Sequence, residues 1–99
     1  MDKIKLDTGY ITGAVANQAG REVYLFKGIP YAAPPIGELR WKPPQPAAPW
    51  SGIRACTEFS IQAAQYPDPY SPERARKLPS SEDCLYLNVL TPTQNAADK

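Results

Sequence analysis

Eleven of the twelve prolines fall between Pro30 and Pro79, and no other feature of this 99-residue chain restricts its fold as strongly. Each proline removes a backbone donor and holds the residue before it away from the helical region. With Pro34-Pro35 and Pro43-Pro44 in the stretch, only short elements fit: a strand near residues 53–55 and a helical turn near residues 72–77. Such proline density usually marks a disordered linker. This one carries Trp41, Trp50, Ile53, Phe59, Tyr66 and Tyr70, large apolar side chains that linkers seldom hold. The expectation is therefore an ordered loop laid over another surface.

The flanks read as strands. Ile4 and Leu6 alternate with charged neighbours, Asp7-Thr-Gly9 interrupts the run, and residues 10–16 resume it. Residues 17–20, Asn-Gln-Ala-Gly, supply a turn, and residues 22–27 a third strand. Period-two alternation with Gly and Asn punctuation predicts a small antiparallel meander over residues 1–27. Residues 84–90 form a fourth strand, closed by Thr91-Pro92. There Leu85, Leu87 and Val89 alternate with Tyr86, Asn88 and Leu90, so both faces are largely apolar. That pattern belongs to a strand covered on both sides, inside a sheet. Residues 93–99 are polar and are expected to fray. A meander, some fifty residues of proline-rich loop and one doubly apolar strand make a poor core, so the chain is expected to need a partner to stay folded.

Charge and cysteine content narrow the function classes. The formal net charge is +1, and Arg74, Arg76 and Lys77 lie beside Glu73 in what reads as a solvated loop, so nucleic acid is not an expected partner. No apolar run reaches the roughly 18 residues of a membrane helix, and the N-terminus has no signal-peptide character, so a cytoplasmic, membrane-free protein is expected. Cys56 and Cys84 form no C-x-x-C and have no histidine near them, which argues against a metal site. A disulfide between them is the alternative, but without an export signal two reduced, largely buried thiols are the expectation.

Catalytic motifs are missing. Histidine is absent, so no Ser-His-acid relay can be assembled from these residues alone. None of Ser51, Ser60, Ser71, Ser80 and Ser81 sits in G-x-S-x-G or begins S-x-x-K. There is no G-x-G-x-x-G and no P-loop, and no cofactor is expected. Glu82 and Asp83 are adjacent carboxylates, but neighbours along a strand point to opposite sides, so pairing with arginine or capping a turn suits them better than acid–base work.

Five blocks in order carry a resemblance: Gly9-Tyr-Ile-Thr-Gly13; Phe26-Lys-Gly-Ile-Pro-Tyr-Ala32; Pro35-Ile-Gly-Glu-Leu-Arg-Trp41 with Pro43-Pro44; Trp50-Ser-Gly-Ile53; and Ser81-Glu-Asp-Cys-Leu-Tyr-Leu-Asn-Val89. The chain resembles the N-terminal portion of the type-B carboxylesterase and cholinesterase family of the α/β-hydrolase fold. The resemblance implies that residues 1–99 are one segment of a single α/β-hydrolase domain, supplying an antiparallel β-meander, a long proline-rich loop and one strand of the central sheet. It also implies that the oxyanion loop, nucleophile elbow, acid and catalytic histidine lie on the remaining polypeptide, beyond Lys99.

Family roles extend to a few residues. Arg40 and Glu82 match an arginine and a glutamate that form a buried salt bridge in relatives. Residues 65–80 match a loop at the mouth of the active-site gorge, where Tyr66 and Tyr70 are candidates for substrate contact, against a purely structural packing role. Secreted relatives bridge the cysteine of the last block to an upstream cysteine; here that position is Ala63, which implies a free Cys84. The implied function is hydrolysis of carboxylic esters by the assembled protein, with this chain alone inactive. The alternative is a non-catalytic adhesion or binding member of the same fold family.

Overall fold

A computed structural model describes residues 3–65, 70 and 80–94. Its elements are β1 (Ile4–Leu6), β2 (Gly9–Thr12), β3 (Ala14–Gln18), β4 (Arg21–Pro30), a 3-10 turn (Gly37–Leu39), β5 (Ile53–Ala55) and β6 (Tyr86–Thr91). They form two three-stranded sheets, β1-β2-β5 and β3-β4-β6. In the first, β1 and β2 make an antiparallel hairpin and β5 lies parallel to β2. In the second, β4 is central and antiparallel to both neighbours.

The expected single meander is thus split between two sheets. The predicted run over residues 10–16 breaks at Gly13, where the chain leaves one sheet for the other. A Cβ on Gly13 would collide with the Leu25 carbonyl oxygen and lie 2.9 Å from Phe26 Cδ1, so only glycine permits this crossing. Alternation alone did not expose the break, because residues on both sides of it keep the period of two. The following hairpin turns on Ala19 and Gly20, both at positive φ (51° and 80°), as a two-residue turn between twisted strands requires. Asn17 and Gln18, expected in the turn, are the last residues of β3.

The core lies between the sheets. Ile11, Phe26, Ile29 and Cys56 are buried together, with Ile4, Leu6, Tyr24 and Trp50 packed around them. The connection from β4 to β5 is ordered, as expected. Of its aromatic side chains, Trp50 is the one that docks. Its backbone N–H donates to the Thr8 carbonyl and its indole N–H to the Tyr10 carbonyl, both at 2.9 Å. Trp41, Ile53, Phe59 and Tyr70 are exposed instead. The surface they were expected to cover is not within this chain's described residues, which include neither Tyr66 nor the predicted helical turn over 72–77.

Strand β6 differs from expectation in the same sense. It runs from Tyr86 to Thr91, slightly later than predicted, and it pairs only with β4 among the described strands. Leu87 and Val89 are each 38% exposed and Leu90 67%. A doubly apolar strand therefore occupies a sheet edge here, where it was expected in an interior.

Candidate functional site

The sequence blocks at residues 26–32 and 81–89 lie side by side. Phe26, Ile29 and Pro30 of β4 face Val89, Leu87 and Tyr86 of β6, and the Tyr31 N–H reaches the Leu85 carbonyl at 3.3 Å. Between Phe26 and Ile29 the register shifts, so Lys27 and Gly28 together oppose Asn88. Gly28 takes φ 73°, a conformation costly for any residue with a Cβ, and a Cβ there would lie 2.9 Å from the Glu58 carbonyl oxygen. Its N–H is taken up by Asn88 Oδ1 at 3.0 Å. The Lys27 N–H turns the other way and donates to the Cys56 carbonyl at 2.9 Å. Because Cys56 follows β5 and its own N–H reaches the Thr12 carbonyl at 2.7 Å, this bulge ties the two sheets together. One local device accounts for a glycine in one block and an asparagine in another.

Arg40 and Glu82 meet. Arg40 closes the 3-10 turn, its N–H donating to the Gly37 carbonyl, and Nη2 lies 2.8 Å from Glu82 Oε1. The side chains are 55% and 46% exposed, so in this chain the pair is half in water, where the resemblance implied a buried one. Next to it Trp41 has φ 63° and is 92% exposed, with the Arg40 guanidinium 5.7 Å from its ring centre. A bulky residue held in the left-handed region is a strained position, of the kind that persists where surrounding structure enforces it.

The neighbouring carboxylates serve different partners. While Glu82 faces Arg40, Asp83 Oδ1 accepts the Tyr86 hydroxyl at 3.0 Å and the Asp83 N–H donates to Ser81 Oγ at 3.1 Å. Burial, then the Asp83 hydrogen bond and charge, push the Tyr86 phenol above its ordinary pKa. Glu82 and Asp83 therefore do not form an acid–base pair.

A shallow cleft of about 230 Å³ opens between residues 59–62 and the side chains of Cys84, Tyr86 and Asn88. Cys84 is a half-buried free thiol; Cys56 is free and fully buried. Burial pushes the Cys56 thiol up, partly opposed by the nearby positive charge and hydrogen bond of Arg54. Of the two gorge-rim candidates, Tyr70 is 93% exposed and away from the core, and Tyr66 lies outside the described residues. Among the described residues no three His, Cys, Asp or Glu side chains converge as metal ligands, and no helix is long and apolar enough to cross a membrane. The Lys27–Cys56 link was not foreseen, and Trp50, expected among the loop's anchors over another surface, docks on the first sheet of this chain. Neither has a local signal beyond the glycines at 9 and 28, whose missing side chains leave room for Trp50 and for the Glu58 carbonyl.

Comparison with known proteins adds what the geometry leaves open. The carboxylesterase family profile matches residues 1–99. The fumonisin B1 esterase of Sphingopyxis macrogoltabida is 45% identical over 87 residues, covering 84% of this chain and 15% of that protein. The carboxylic ester hydrolase of Bombus ignitus is 37% identical over 94 residues, covering 94% of this chain and 17% of that protein. For the liver carboxylesterase of Sus scrofa the identity is 39% over 94 residues, 85% of this chain and 17% of that protein. The chain thus spans 15–17% of the length of these relatives and matches their N-terminal portion.

Proposed function

The chain belongs to the carboxylesterase family, and from that premise we propose that it is the N-terminal scaffold of a carboxylic ester hydrolase. The family has the α/β-hydrolase fold. In this reading β6 is one strand of the central sheet, and residues 1–99 are part of a single domain completed by further polypeptide. That polypeptide carries the nucleophilic serine, the acid, the histidine and the oxyanion loop. None of the 99 residues is a histidine, so the general base has to come from elsewhere. The serine attacks the ester carbonyl, the base takes its proton, backbone N–H groups hold the oxyanion, and water releases the acyl group. No cofactor takes part in this scheme.

The observation that carries the proposal is β6, a strand apolar on both faces whose Leu87, Val89 and Leu90 stand exposed at a sheet edge. A sheet continued past β6, with helices on its faces, would cover all three. The same cover would enclose the half-exposed Arg40–Glu82 pair and turn it into a strap between the 3-10 turn and the start of β6. Tyr66 and Tyr70 are assigned to the substrate entrance, and a small-molecule ester is the substrate. A cytoplasmic location belongs to the same reading, supported by the free thiols of Cys56 and Cys84.

Native mass spectrometry of the chain mixed with the polypeptide that continues the domain tests this reading, combined with hydrolysis of an activated ester. A one-to-one complex that turns over ester, with neither part active alone, is expected. Turnover by the purified 99-residue chain would sink it. A complex that forms but neither hydrolyses ester nor reacts with a fluorophosphonate would point to the non-catalytic, adhesive branch of the fold.

A further inference from the structure

We infer that the backbone tie between Gln62 and Ser81 is a positioning element for substrate size. It holds together the two ends of the segment that carries Tyr66 and Tyr70, and so sets which esters the assembled enzyme admits. The inference rests on the ester-hydrolase reading, in which those tyrosines stand at the substrate entrance. The Ser81 N–H donates to the Gln62 carbonyl at 2.9 Å, and Gln62 pairs with Ser80 in a parallel bridge. Residues 62 and 81 are thus neighbours in space, and the chain between them starts and ends at one place.

Both ends are rooted in the same strand. Upstream, Lys27 of β4 bridges Thr57, and its N–H donates to the Cys56 carbonyl at 2.9 Å. Downstream, Pro30 of β4 pairs with Tyr86 of β6, whose hydroxyl reaches back to Asp83 Oδ1 at 3.0 Å. The Asp83 N–H in turn donates to Ser81 Oγ at 3.1 Å, which folds residues 81–83 into a turn. β4, residues 57–62, the tie and residues 81–86 therefore close a ring, and the shallow cleft beside Cys84 is lined from both of its arms. No disulfide closes this ring, because Cys84 is a free thiol. Two arms rooted on one strand and joined at their tips hold those tips at a fixed separation. Without the tie each arm is held at its root alone, and the segment between the tips gains positions it did not have. The general base has to come from other polypeptide, since no residue here is a histidine. A displaced entrance therefore changes what reaches the serine without touching proton transfer. That signature is a KM effect confined to esters long enough to meet the entrance, at unchanged kcat.

Steady-state kinetics of the full-length enzyme on nitrophenyl acetate and nitrophenyl laurate test it. Ser81→Pro removes the donating N–H and is expected to raise KM for the laurate about fivefold, the worth of one hydrogen bond. KM for the acetate and kcat on both esters should stay at the parent values. Ser81→Thr keeps the N–H and a side-chain oxygen for Asp83, and is expected to restore the parent KM. Tyr86→Phe leaves the backbone untouched and removes only the hydroxyl that braces Asp83; it should raise KM for the laurate in the same direction, by less. It carries the test if Ser81→Pro does not fold. Equal changes on the two esters, or folded variants with the parent's KM for the laurate, would overturn the inference and leave the ester-hydrolase reading standing. A parent enzyme that hydrolyses neither ester would overturn both.

Discussion

Strands β4 and β6 lie next to each other and are about equally apolar in sequence, yet their fates in the fold are opposite. β4 buries Phe26 and Ile29, having β3 on one side, β6 on the other and the first sheet across its face. β6 leaves Leu87, Val89 and Leu90 exposed, having among the described strands a neighbour on one side only. A strand's composition states how much cover it needs. Its surroundings decide whether that cover is present, and the contrast between these two strands is where the fold is complete and where it is open.

The strongest way to break this contrast is to delete one side chain from each strand. Phe26→Ala removes a 3% exposed ring from the centre of a small core and is expected to cost about 3–5 kcal/mol. For so small a core, that abolishes the cooperative transition. Leu90→Ala in dilute, monomeric protein removes a side chain that touches little and is expected to change stability by less than about 0.5 kcal/mol. Urea denaturation followed by tryptophan fluorescence checks both. Equal losses would mean that β6 is buried in solution by contacts absent here.

Next in size are the groups that join the two strands. Gly28→Ala forces a side chain into φ 73° and against the Glu58 carbonyl, at an expected cost of about 2 kcal/mol. Asn88→Ala leaves the Gly28 N–H without its acceptor, at about 1–2 kcal/mol. Because both act on one bulge, their effects should not add. A double variant whose loss equals the sum of the two, measured by the same denaturation, would show the bulge is not the shared device.

These local devices also mark how far the sequence could be read. Strands β1, β2, β4 and β6 announce themselves by alternation, and the proline count confines everything between β4 and β6 to short elements such as β5. The division into two sheets was not legible. It depends on Gly13 passing against the Leu25 carbonyl, a contact between residues twelve apart that no local pattern encodes. Arg40 and Glu82 were paired through the resemblance alone, since nothing in their own neighbourhoods singles out one arginine or one carboxylate. The aromatic residues of the loop were read as anchors, but chemistry shows only that they want cover; Trp50 finds it on β2 and Trp41 does not.

Smaller still is the Arg40–Glu82 pair. At roughly half exposure, Glu82→Gln is expected to cost about 0.5 kcal/mol or less in the isolated chain, fading with added salt. In an assembled domain that encloses the pair, the same substitution strands a buried guanidinium and should cost about 3 kcal/mol. Thermal melts of the variant, alone and assembled, give the ratio directly. A ratio near one would mean the pair stays at the surface and β6 is covered by something that does not reach the 3-10 turn.

The gentlest probe compares the two thiols. Cys56 is 1% exposed and Cys84 half-buried at the cleft, so a thiol reagent should modify Cys84 in the native state and Cys56 only as the sheets open. Burial raises the Cys56 thiol in the folded chain, whereas in the unfolded chain it ionises near its ordinary value of about 8.5. Below that pH both states hold the proton and the contribution to stability is complete. Above it the unfolded state loses the proton first, so stability falls as pH rises toward the folded value, by at most about 1.4 kcal/mol per pH unit. Cys56→Ala should remove that slope while lowering stability at neutral pH. If the slope survives the substitution, the alkaline loss comes from another group, and Tyr86, whose phenol is also raised by burial and by Asp83, is the one to replace next. Because Tyr86 lies on the open strand and Cys56 between the sheets, the slope itself reports which of the two regions gives way.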